Sequence, residues 1–167
     1  MLPNLQTVRV LWASLPVALL TLTLACDVPD PEISIKILAS EDVIDSTTET
    51  VIFAVQVTQT FMREVLPLEG AEVVFSGECV LDHGTMKIGE SDPIATDENG
   101  IAAVGLEIPG LLARMPSDKG KWRQLITLAQ VLGSSASVTL ELPVDIDDNG
   151  AERFNQGSLK PGKLWVP

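Results

Sequence analysis

The sequence holds one histidine, His83, and two cysteines, Cys26 and Cys79, among 167 residues. A zinc site takes three or four ligands, so one imidazole and two thiols fall short of it. Nucleophilic catalysis needs a base beside the nucleophile and a third group to orient it. Cys79, His83 and the neighbouring Asp82 supply the residue types, but adjacent residues of an extended strand point to opposite faces, and no nucleophile-elbow glycine pattern accompanies them. The residues therefore imply no enzyme. Basic residues are also scarce, 11 Lys and Arg against 23 Asp and Glu. A surface of that sign repels phosphate backbones, whose binding rests on clustered Lys and Arg, and this excludes nucleic acid as a partner. No long amphipathic helix is legible, and no repeat with a period between about 20 and 50 residues is present.

What the chain does have is an uncharged apolar run from Val10 to Ala25 that ends at Cys26. Arg9 and the amino terminus provide a positive flank, and Ala25 is the small residue that a signal peptidase requires beside its cut. The run is interrupted by Pro16 and is short for a membrane span, which takes roughly 20 apolar residues. It is expected to be a cleaved secretion signal, residues 1–25. Cleavage leaves 142 residues with ten basic and 23 acidic side chains, a net charge of −13. That length suits one domain with a sizeable core.

Residues 26–32 form an acidic tether stiffened by Pro29 and Pro31. Residues 33–143 carry the period of β-strands. Ile33, Ile35 and Ile37 alternate with polar neighbours, as do Val51, Phe53, Val55 and Val57 within Thr50–Phe61. Leu66–Gly70 is expected to be a turn, followed by a strand with Ala71, Val73 and Phe75 on one face. Val80–Leu81 and Met86–Ile88 are expected as short edge strands around Gly84, and Pro93–Thr96 as another. Asp97-Glu98-Asn99-Gly100 signals a tight hairpin, because Asn and Gly tolerate positive φ. Ile101–Ile108 places Ala102, Val104, Leu106 and Ile108 together, and Pro109-Gly110 closes it. After a loop with at most one helical turn, Trp122–Val131 resumes, with Ile126 and Leu128 expected inward. Gly133-Ser134-Ser135 then turns the chain into a strand with Val138, Leu140 and Leu142 on one side. Seven or so short strands at this spacing predict an all-β fold, a two-sheet antiparallel β-sandwich. Residues 144–167 are an irregular tail, either docked through its apolar residues or disordered.

Two resemblances add to this reading. Leu22-Thr23-Leu24-Ala25-Cys26 resembles the lipobox of bacterial lipoproteins, which implies a diacylglycerol on Cys26, anchorage of the exported chain in the bacterial cell envelope, and a periplasmic or surface-facing domain. Asp27 resembles an inner-membrane retention signal. Without lipidation, a Cys26–Cys79 disulfide becomes possible in an oxidising compartment. Pro67-Leu68-Glu69-Gly70-Ala71-Glu72-Val73-Val74-Phe75 and Thr96-Asp97-Glu98-Asn99-Gly100-Ile101-Ala102 resemble two segments of bacterial Ig-like domains of the invasin and intimin type. Transthyretin-like regulatory domains carry similar patterns. The invasin-type resemblance implies that residues 33–143 are an Ig-like antiparallel β-sandwich serving as a rigid spacer or presentation module without catalytic residues, meeting a protein or glycan partner.

Two further groups are candidate sites. Asp145, Asp147, Asn149 and Gly150 fit the first half of a calcium loop, in which alternate oxygens converge and glycine permits the turn. Gln156 occupies the position of the closing Glu, so Glu152 would have to complete the shell, and a solvated acidic turn is the plainer expectation. Lys121, Trp122 and Arg123, with Lys119, are the one basic-aromatic cluster on an acidic chain. They suit an anionic headgroup or a glycan, or else loop charges beside a packed Trp. The expectation is a non-catalytic envelope lipoprotein module without a cofactor, with a calcium- or carbohydrate-binding accessory module as the alternative.

Overall fold

In the computed structural model, residues 31–39, 41–115, 117–146 and 164–166 are described. They form an all-β sandwich. Its strands are β1 (Glu32–Ala39), β2 (Ile44–Asp45), β3 (Thr50–Phe61), β4 (Glu64–Pro67), β5 (Glu72–Leu81), β6 (Gly84–Glu90), β7 (Ile94–Ala95), β8 (Ile101–Glu107), β9 (Trp122–Val131), β10 (Ser137–Asp145) and β11 (Trp165–Val166). Seven of these have seven residues or more. One sheet runs β1-β3-β8-β11, with β4 also on β3, and the other runs β2-β10-β9-β5-β6, with β7 also on β5. All pairings are antiparallel except β2 with β10, so the second sheet is mixed.

Alternation of side chains builds the core between the sheets. Val51, Phe53, Val55 and Val57 of β3 and Ala102, Val104 and Leu106 of β8 are buried from one side. Val73, Phe75, Cys79 and Leu81 of β5 and Leu125, Ala129 and Val131 of β9 meet them from the other. The β-branched density of β3 suits a pleated, half-buried surface, and its bounds coincide with the expected strand.

Several expectations are corrected. Leu66 and Pro67 are not turn residues but the end of β4, which folds back on β3 with Phe61 opposite Glu64. The reversal is made by Met62 and Arg63, both at positive φ (48° and 75°), a conformation normally given to Asn or Gly, so the sequence carries no signal for it. Rather than two short edge strands, β5 runs unbroken to Leu81 and pairs β6 across the turn at Asp82 and His83. Asp97–Gly100 is a tight turn but joins no hairpin: β7 pairs β5 and β8 pairs β3, so the chain crosses here between sheets. The Asp97 carboxylate holds the crossing by accepting from the amides of Asn99 and Ile101. Pro109 and Gly110 lie inside a short helix, α1 (Ile108–Leu112), with the proline in its first turn where a missing N–H costs nothing. Ile44, in the mostly polar stretch of residues 41–49, is fully buried.

The end of the chain belongs to the sandwich. Trp165 and Val166 pair Leu106 and Gly105 of β8, and Leu164 and Trp165 are buried. Among the described residues no helix is long and apolar enough to cross a membrane.

Candidate functional site

The phase of β9 departs from expectation, and the departure leaves an open groove on the outer face of the second sheet. Leu125, Thr127, Ala129 and Val131 face inward, so Ile126 and Leu128 lie on the outer face of the second sheet. Both phases of this strand are largely apolar, which is why alternation alone did not decide between them. Buried Trp122 helps to set the choice. It pairs Leu81 across a register shift that follows the Val80–Gln124 pair, leaving Arg123 as the extra residue.

A groove of about 410 Å³ opens over this outer face. Ile126 and Leu128 give it an apolar floor, with Ser76 and Thr139 beside them. Glu78, Glu90 and Lys87 stand around it. The hollow arises where Gly77 and Gly89 oppose each other across the β5–β6 ladder. Gly77 pairs Gly89 and Glu78 pairs Lys87, so Ile88 is an extra, bulged residue on β6. Its Cδ1 lies 2.9 Å from where a Cβ on Gly77 would stand, which places the Ile88 side chain beneath the ladder. Trp165 braces the same spot from within the core, donating from Nε1 to the Gly89 carbonyl at 3.3 Å. Apolar floor, two carboxylates and one ammonium suit a partner surface that offers an apolar side chain flanked by positive charge.

The sequence-derived cluster at the far end of β5 divides. Trp122 is buried in the core, its indole Nε1 donating to the Gln124 carbonyl at 2.8 Å, so it presents no stacking face to a ligand. Arg123 is exposed and bonds Asp82 through Nε at 2.6 Å. Lys121 enters through its backbone, its amide donating to the other Asp82 oxygen at 2.9 Å. Lys119 Nζ donates to the Thr85 carbonyl. The Arg123 hydrogen bond and the Lys121 amide hold the Asp82 carboxyl below the usual carboxylate value. This group ties the β5–β6 turn to the loop before β9. Gly120, at φ 77°, is needed for it, because a Cβ there would stand 2.7 Å from that of Asp82.

Cys79 is fully buried, and its thiol is pushed up to about 12 by burial and by the carboxylate of Glu78. His83 sits in the β5–β6 turn, its amide donating to the Lys119 carbonyl. Cys79 is thus a core residue, not one poised beside an imidazole. Asp145 ends β10 opposite Asp45 of β2. The Asp45 carboxyl is lowered by hydrogen bonds that the Thr47 hydroxyl and amide and the Thr48 hydroxyl donate to its Oδ1 in a local turn. Asp147, Asn149 and Glu152 of the calcium reading, and Cys26 of the lipidation reading, lie outside the described residues. Among the described residues no three His, Cys, Asp or Glu side chains gather as a metal site.

Glu78, Lys87 and Glu90 were not singled out by sequence reasoning. The one available signal was the second apolar phase of β9. No family model matches the chain, and no curated protein matches it.

Proposed function

We propose that this is an exported cell-envelope lipoprotein whose single sandwich is a non-catalytic interaction module. The observation that carries the reading is the apolar run Val10–Ala25 ending at Cys26, with the first strand beginning only six residues later at Glu32. An acylated cysteine would hold the sandwich close to a bilayer, while the groove over Ile126 and Leu128 offers a face for a protein partner. A protein is favoured over a glycan because Trp122 and Trp165 are both inside the core, which leaves the groove without an aromatic platform.

The invasin-type resemblance belongs to the same reading. Its two segments are hydrogen-bonded to each other: Gly70 donates to the Thr96 carbonyl, Thr96 to the Ala71 carbonyl, and the Ala71 amide to the Thr96 hydroxyl. That hydroxyl in turn donates to the Leu68 carbonyl. They act together as a rigid corner, which suits a presentation module.

The test is metabolic labelling with a fatty-acid analogue in cells expressing the full chain and Cys26→Ser. Label on the wild type that is absent from the variant is the expected result. Equal labelling, or none on either, would overturn the anchor. Protease treatment of intact and lysed cells then assigns the domain to the surface or to the periplasm.

A further inference from the structure

The β3–β4 hairpin is unlike the rest of the surface. Among the described residues eight large hydrophobic ones are exposed, and four of them, Phe61, Met62, Val65 and Leu66, lie in this one hairpin. Met62 is 73 % exposed and Val65 65 %. Core packing does not account for them. The turn at Met62 and Arg63 also departs from the ordinary choice of residues: both sit at positive φ where Asn-Gly would be unstrained. An apolar residue and a cation therefore occupy the tip at a conformational cost.

Position is the second observation. Val57 accepts from Leu68 and donates to Gly100, closing that end of the sandwich, and the hairpin continues five residues beyond it, about 16 Å at strand rise. Glu32, the first residue of β1, pairs Thr60, two residues from the tip. The chain thus enters the domain beside the hairpin. Glu32 lies six positions after Cys26, so even a fully extended tether spans only about 20 Å. If Cys26 lies at the headgroup level of a bilayer, this end of the sandwich faces that bilayer, and the hairpin extends toward it.

We infer that the tip of the β3–β4 hairpin inserts into the headgroup region of the membrane that carries the lipid anchor, with Met62 and Val65 entering the acyl boundary and Arg63 lying at the phosphate level. The inference rests on the lipoprotein reading above. It supplies what one lipidated residue on a short tether does not: a second contact that fixes the orientation of the sandwich and directs the His83 end away from the lipid. Because the tether already holds the tip near the lipid, a small apolar contact suffices, as linked binding raises effective concentration.

The experiment uses the mature acylated chain in phosphatidylcholine vesicles. Met62→Cys is labelled with an environment-sensitive fluorophore, with His83→Cys, in the opposite β5–β6 turn, labelled as the control. Cys79 is buried with its thiol pushed up to about 12, and acylated Cys26 is blocked, so the label goes to the introduced thiol. The expected result is a blue shift at position 62 and quenching there by lipids brominated on their acyl chains, with neither at position 83. An aqueous spectrum at 62 on a chain whose mass includes the lipid overturns the hairpin contact and leaves the anchor standing. A mass without lipid removes the anchor and the inference with it. A blue shift at 62 that appears without vesicles and scales with protein concentration assigns the tip to a second copy of the chain and overturns the membrane contact. Met62 is exposed enough for its substitution to leave the fold intact, which the thermal unfolding curve of each variant checks.

Discussion

The indole of Trp165 fills the space that a side chain on Gly77 would need: a Cβ there would stand 3.1 Å from Trp165 Cζ2 and 2.9 Å from Ile88 Cδ1. Two residues separated by most of the domain's sequence are thereby made complementary. Trp165 also meets Phe53 edge to face at 6.1 Å, so it contacts both sheets at once. Gly77→Ala is expected to destabilise the fold by about 1–3 kcal/mol, the usual cost of overpacking a filled core. Trp165→Ala is expected to cost more, about 3–5 kcal/mol. In the double variant the Gly77→Ala penalty should shrink, since the colliding ring is gone. Urea denaturation of the four proteins measures this, and strictly additive effects would contradict the contact.

Thr127 faces inward on β9, and among the described residues its Oγ1 is a buried polar atom without a hydrogen-bond partner. It looks onto apolar groups that include Phe53, Phe75 and Leu140. An orphan hydroxyl in such surroundings costs free energy that an isosteric methyl does not. Thr127→Val is expected to raise stability by about 1 kcal/mol, read as an increased denaturant midpoint with an unchanged slope.

Asp82 links pH to the β5–β6 turn. Its carboxyl is held below the usual value chiefly by the Arg123 hydrogen bond, so the folded chain binds this proton less readily than the unfolded chain. The stabilisation is complete above the ordinary carboxylate value of 3.8 and is lost as pH falls through the lowered folded value. Asp82→Asn should lower stability at neutral pH and flatten the acid limb of the stability profile below about pH 4. A parallel downward displacement of the whole profile would show that Asp82 acts through packing alone.

Cys79 gives the opposite sign at alkaline pH. Its thiol is pushed from 9.0 to about 12, so the native state favours the protonated form, and this contribution is present below pH 9.0 and declines as pH rises toward 12. The native protein should resist iodoacetamide at pH 8 and react once unfolded. Rapid alkylation of the folded chain would mean that the sandwich opens at β5.

Much of this architecture is written locally. The alternation in Thr50–Phe61 and the run of Ala102, Val104 and Leu106 specify strands and their buried faces, because a half-buried strand must alternate whatever it pairs with. The turn chemistry at Asp97–Gly100 and Gly133–Ser135 is equally local, resting on short side-chain bonds and positive φ.

Other features required the tertiary structure. Because β9 is apolar in both phases, alternation points Ile126 and Leu128 inward as readily as outward, and only its register against β5 and β10 turns Leu125, Thr127 and Ala129 to the core and leaves a groove outside. The Met62-Arg63 turn has no composition signal, since pairing of β3 with β4, not propensity, forces its positive φ. Trp165 looked like part of a tail, yet it enters the core because Gly77 leaves room for it. Periodicity reports which residues want to be buried, whereas complementarity between distant positions decides what buries them; the first is a property of neighbours in the chain, and the second exists only once the sheets have met.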